Sequence, residues 1–199
     1  MKTTILTMAA VMIMAVVTTT NTYANNNNNE EVSTVLKNIS RINKIEIHGN
    51  VELYVSDGAT DQVKVYNKYY AESALVQSRN GVLRISSYKN EKLVVWVTTA
   101  DLQAITAYDN AEVKSFGTLS TLDLEVNLYN TATAVLNLEG YKATINVNDN
   151  AKANLSGNVN DYNLNYVQPE NVSHTNFVAV SASKKQITAK AKPSEIAGL

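Results

Sequence analysis

Leu124-Glu125-Val126-Asn127-Leu128-Tyr129-Asn130-Thr131-Ala132 is followed by Ala143-Thr144-Ile145-Asn146-Val147-Asn148-Asp149-Asn150-Ala151. Each stretch alternates apolar and polar residues over five positions. Period-two alternation is the signature of a β-strand with one buried face. Each then breaks into a short segment carrying Asn or Asp, residues that tolerate left-handed backbone in tight corners. The two stretches read as one unit written twice, a strand closed by a corner.

Further copies lie on both sides. Ile45, Val65, Ile85, Ile105, Val126, Ile145, Leu164 and Ile187 are spaced 20, 20, 20, 21, 19, 19 and 23 residues apart, each followed by a residue able to face water. A second register agrees from residue 100 onward. Tyr108-Asp109-Asn110-Ala111, Tyr129-Asn130-Thr131-Ala132 and Asn148-Asp149-Asn150-Ala151 share one phase, followed by Val113, Ala134 and Ala153. Strands alone at a period near twenty predict an all-β parallel solenoid whose coils stack on one another. The competing reading is an antiparallel sandwich with evenly spaced hairpins, and before residue 100 a few antiparallel hairpins fit the sequence as well. In the solenoid, rungs lie about 4.8 Å apart. Val126, Ile145 and Leu164 then form an inward aliphatic column, and Asn127, Asn146 and Asn165 an outward amide ladder. The 26 asparagines supply corners that 7 glycines alone do not.

Composition narrows the class. The 199 residues are 45% hydrophobic and 18% charged, with 17 basic, 18 acidic and no cysteine. That balance excludes a disordered chain and a disulfide scaffold, and near-neutral charge removes the electrostatic case for nucleic acid. Lys2, the apolar run Ile5–Val17 and the small-residue site Thr22-Tyr23-Ala24 read as a signal peptide over 1–24, its apolar run short of the roughly 20 residues a span needs. Asn25–Asn29 opens an Asn-rich spacer expected to be disordered over 25–35. A single domain is expected over 36–195. The product is exported, with no stable membrane insertion after cleavage and no cysteine to carry a lipid. With no evident anchor, the periplasm is the default location, with secretion or the cell surface as alternatives.

Ile45-Glu46-Ile47-His48-Gly49-Asn50-Val51-Glu52-Leu53-Tyr54-Val55 resembles the opening strand pair of the putative auto-transporter adhesin, head GIN domain family. Asn80-Gly81-Val82-Leu83-Arg84-Ile85 is similar to its turn and next strand, and Phe177-Val178-Ala179-Val180 with Ile187-Thr188-Ala189 to its closing strands. The resemblance spans roughly residues 36–195, with Asn and Ala where the family has glycine-rich corners. It implies a right-handed parallel β-helix exported in Gram-negative bacteria, and brings no catalytic or binding residue with it.

Site chemistry must therefore come from the residues. His48 and His174 are far apart in sequence with no acidic cluster at ligand spacing, so no metal and no cofactor is expected. Asp109, Asn130 and Asp149 share a corner column, with Tyr108 and Tyr129 beside them. Asp109 and Asp149 would stand two rungs, about 10 Å, apart, near the upper limit for an inverting glycosidase pair. Against that, Asx residues in tight turns normally bond their own backbone, and no Lys or Arg shares the column. Outward tyrosines (Tyr66, Tyr69, Tyr70, Tyr108, Tyr129) suit glycan or protein contact, or simply cover corners. The expectation is a non-catalytic, adhesin-like binding module of the cell envelope. Its candidate ligand-binding residues are Tyr108, Asp109, Tyr129, Asn130 and Asp149, and its partner a glycan or an envelope protein. The alternatives are a glycan-active enzyme using the two carboxylates, and a structural protein that self-associates through an end rung.

Overall fold

The computed structural model describes residues 33–36, 39, 41–66 and 74–188. The expected signal peptide, most of the expected spacer, and Tyr69 and Tyr70 lie outside the described residues. Ser33–Val35, assigned above to the spacer, instead forms a strand.

The chain is all-β. Its strands are β1 (Ser33–Val35), β2 (Lys44–Gly49), β3 (Val51–Asp57), β4 (Gln62–Tyr66), β5 (Ala74–Arg79), β6 (Val82–Ser87), β7 (Leu93–Thr99), β8 (Ala104–Ala107), β9 (Glu112–Ser115), β10 (Leu119–Leu128), β11 (Thr133–Val147), β12 (Lys152–Tyr166) and β13 (Val172–Gln186). A 3₁₀ turn, Pro169–Asn171, precedes β13. All the strands join one mixed sheet curled about a single apolar core.

Two parallel ladders run through that sheet. One follows β6, β2, β8, β10, β11, β12 and β13. The other follows β7, β3, β9, β11, β12 and β13. The long strands serve both because they turn a corner. In β11, Ala134, Leu136 and Leu138 are buried, then Ala143, Ile145 and Val147, so the buried phase inverts across residues 139–142. A strand whose apolar positions change phase must rotate its inner face there. Gly140 sits in that corner, where a Cβ would lie 2.2 Å from the Thr121 carbonyl oxygen. Antiparallel pairing is confined to one side: β5 on β6, β4 on β7 and β1 on β4.

The strands at 124–128, 143–147 and 162–166 are parallel and in the expected register, Val126 opposite Ile145 and Ile145 opposite Leu164. Ile105 extends that column opposite Val126, and all four are buried. Burying one such side chain is worth about 1.5–3 kcal/mol. Before residue 100 the spacing misleads. Ile45 lies between Leu83 and Ile105, Ile85 lies opposite Ile47, and Val65 sits on antiparallel β4 opposite Val95. At the far end, Lys184 takes the position next to Leu164 that the spacing assigned to Ile187. Alternation tells a strand which face to bury. It carries no information about which neighbour to pair with or in which direction.

Candidate functional site

The corner column begins where β2, β8, β10 and β11 end. Tyr108, Tyr129 and Asn148 each open a turn closed by a backbone bond from Ala111, Ala132 and Ala151, at 3.2, 3.1 and 3.0 Å. The second turn residue has positive φ: 61° at Asp109, 59° at Asn130 and 55° at Asp149. Gly49 fills the same place one rung earlier, with φ 78°, and a Cβ there would lie 2.2 Å from the Ser87 carbonyl oxygen. Left-handed backbone strains most L-residues, and Asn and Asp tolerate it best.

The Asx side chains bond between rungs instead of back to their own turns. The Gly49 N–H donates to Asp109 Oδ2 at 3.1 Å, the Asp109 N–H to Asn130 Oδ1 at 3.2 Å, and the Asn130 N–H to Asp149 Oδ2 at 2.9 Å. Each thus satisfies a corner N–H that has no ladder partner, a bond of about 1 kcal/mol net. The expectation of self-capping turns is corrected here: these side chains accept from the N–H of a neighbouring strand's corner, brought alongside by the parallel pairing.

Beside this column runs a stack of rings. His48 and Tyr108 lie 4.4 Å apart between centroids with planes 8° from parallel, and Tyr108 and Tyr129 lie 4.9 Å apart at 9°. Burial in this stack, with smaller effects from Tyr129 and Glu46, pushes the Tyr108 hydroxyl up from its ordinary value. His48 also bonds Glu46 through Nε2 at 2.9 Å, and Arg84 approaches Glu46 at 3.4 Å. His48, weighed above only as a metal ligand, carries a sequence signal for this stack. His48-Gly49-Asn50 repeats the order ring, left-handed residue, amide found in Tyr108-Asp109-Asn110.

A surface pocket of about 710 Å³ opens at the end of the ring stack, lined by Tyr129, Asn148, Asp149, Val167, Lys185 and Gln186 among others. Of the five sequence candidates it brings together Tyr129 and Asp149. Asp109 and Asn130 stay in the bonded column, and Tyr108 backs the Tyr129 ring. On the neighbouring outer face the amide ladder is present. Asn146 donates to Asn127 and Asn165 to Asn146, both at 2.7 Å. Among the described residues no group of three or more His, Asp or Glu side chains is placed to hold a metal ion.

The other outer face carries an arrangement the sequence reading missed, apart from Tyr66. Trp96 stacks on Tyr54 at 4.8 Å, with Tyr66 and Phe116 against its edges. Alongside, Lys114 bonds Glu52 and, at 3.2 Å, Glu112, which Lys92 also meets at 2.6 Å. The Lys114 hydrogen bond holds Glu52 below the usual carboxylate range, and the Lys92 bond does the same for Glu112. Lys114 is itself held well above its ordinary value, chiefly by Glu52.

Comparison with known proteins fits this architecture. A putative adhesin from Bacteroides fragilis NCTC 9343 superposes with a TM-score of 0.67 at 16% identity, over 79% of this chain and 77% of its own. A putative adhesin from Parabacteroides distasonis ATCC 8503 gives 0.58 at 16% identity, over 78% and 77%. No curated protein matches the chain. The family model described as putative auto-transporter adhesin, head GIN domain, matches residues 41–192, the span that holds both ladders and the corner column, and the chain belongs to that family.

Proposed function

We propose that this protein is an exported, non-catalytic, adhesin-like binding module of a Gram-negative cell envelope. Its fold in this reading is a right-handed parallel β-helix with an antiparallel cap on the β4–β5 side. Residues 1–24 are the signal peptide, the following Asn-rich residues a spacer, and the domain runs to about 195, with the mature protein in the periplasm. The family and the adhesin names of its structural neighbours support the class. Among the described residues no helix is long and apolar enough to cross a membrane.

The observation that carries the binding role is the ring stack His48, Tyr108 and Tyr129 ending at a polar-rimmed pocket. Rings locked in a stack present area with little torsional freedom left to lose on binding. Corner chemistry supports the non-catalytic reading. Asp109 and Asp149 each spend a carboxylate oxygen on a neighbouring corner N–H.

The test is glycan-array binding by the chain from Asn25, with product release followed in the same wells and a parallel pull-down from envelope extract. Saturable capture of a glycan or an envelope protein without product is the expected result. Product that disappears in Asp109→Ala and Asp149→Ala would make the protein an enzyme, and silence in both assays would end the binding reading.

A further inference from the structure

The ring stack stops abruptly. Tyr108 covers one face of Tyr129, and in the next rung the equivalent position is Asn148. The Asn148 amide turns back to donate to the Leu128 carbonyl at 3.1 Å, and the rung beyond brings Val167, whose N–H donates to the Val147 carbonyl. Large rings giving way to small side chains leave a notch, and that notch is the 710 Å³ pocket that Tyr129 lines.

Its walls are of mixed character. Asp149 is fixed at the rim because its Oδ2 holds the Asn130 N–H, which sets where the second carboxylate oxygen lies. Gln186 is held from the opposite wall by donating to the Val167 carbonyl at 3.1 Å, and Lys185 adds an ammonium beside it. An occupant must therefore offer an apolar face of ring size to Tyr129 and donors and acceptors around its edge. A flat aromatic ligand would leave the rim groups unpaired. A simple anion would meet the Asp149 carboxylate. A neutral pyranose fits both demands, with one face of axial C–H groups and equatorial hydroxyls at the rim.

We propose that the Tyr129 notch is a pyranose-binding subsite, with Tyr129 as the platform and Asp149, Lys185 and Gln186 as hydroxyl partners. The proposal rests on the binding-module reading and names its ligand class. Tyr108 and His48 act behind it as positioning residues, since they hold the platform ring in its plane.

The test is saturation-transfer NMR on the chain from Asn25, which retains residues 189–199, with cellobiose, maltose and N,N′-diacetylchitobiose as probes. At least one disaccharide is expected to bind, with the strongest transfer to the C–H protons of one ring face. Tyr129→Ala is expected to weaken that binding roughly tenfold, Tyr129→Phe by no more than about twofold, and Trp96→Ala, on the other outer face, not at all. If Tyr129→Ala does not fold by circular dichroism, Gln186→Trp fills the notch from the far wall and is expected to give the same loss. Binding that survives both Tyr129→Ala and Gln186→Trp overturns the subsite while leaving the binding module intact. Silence from all three probes also overturns it, and the envelope pull-down then decides the module reading separately.

Discussion

Asp109, Asn130 and Asp149 do two jobs with one side chain. Each adopts a backbone angle that most L-residues resist, and each reaches across to a neighbouring corner N–H. The two jobs separate by mutation. Asn130→Gly keeps the left-handed angle and loses only the acceptor for the Asp109 N–H, whereas Asn130→Ala loses both. Urea unfolding is expected to show the alanine variant about 1 kcal/mol less stable than the glycine variant. Equal losses would mean the corner relaxes out of its left-handed conformation. The residue types at these corners were legible, because Asx before a small residue at a fixed phase is a turn signal. Their bonding partners were not, since those lie 19 to 60 residues away along the chain. The stacking role of His48 was not legible for a similar reason: it emerges only when β2 is laid against β8.

At the scale of elements, parallel stacking turns outward positions into rows. The row through Trp96, Tyr54 and Lys114 comes from β7, β3 and β9, which are not consecutive in sequence. Lys114 sits between Glu52 and Glu112, with Lys92 on the far side of Glu112. Both glutamates have folded values below the ordinary carboxylate value of 4.5. A depressed folded value means the ionised form is favoured by folding, so this contribution is full above about 4.5 and is lost as pH falls through the folded values. The lysines are a third or more exposed, which keeps the contribution modest. Lys114→Met is expected to be less stable than the native chain at neutral pH, and the gap is expected to narrow below pH 4.5. Thermal unfolding across pH 2–7 checks this, and a gap independent of pH would assign the effect to lost packing over Tyr54 instead.

The whole molecule has to solve the problem of its ends. β4, β5 and β1 close one side with antiparallel strands. On the other, β13 pairs only with β12 among the described strands, and an unpaired strand invites another copy. Its register supplies the remedy. His174 stands at the position of Leu155 and Lys184 at that of Leu164, so polar groups replace the apolar residues of the preceding rung. His174 is bonded to the Tyr162 hydroxyl at 2.9 Å, and burial together with Lys184 lowers its protonation range. Stacking a second copy here would bury the Lys184 charge and the polar His174 ring, which disfavours the self-associating alternative. His174→Leu combined with Lys184→Val is expected to raise concentration-dependent association in sedimentation equilibrium while the native chain stays monomeric through this end. A native dimer abolished by Val180→Lys on the same strand would reverse the argument.

The sequence alone determined the all-β class, the family, the inward column of Val126, Ile145 and Leu164, the amide ladder and the residue types at the corners. The family was carried by a resemblance; the rest follow from side-chain alternation and turn chemistry, which act over a few residues. Only the tertiary structure decided that β2 and β3 each lie between two later strands, that Val65 sits on an antiparallel strand, and that Lys184 ends the aliphatic column. It also joined His48 to the tyrosines and set Tyr129 over the notch. Those outcomes depend on which strand edges meet. Every alternating strand offers the same backbone bonds to any neighbour, so the choice among them is made by how the whole core closes.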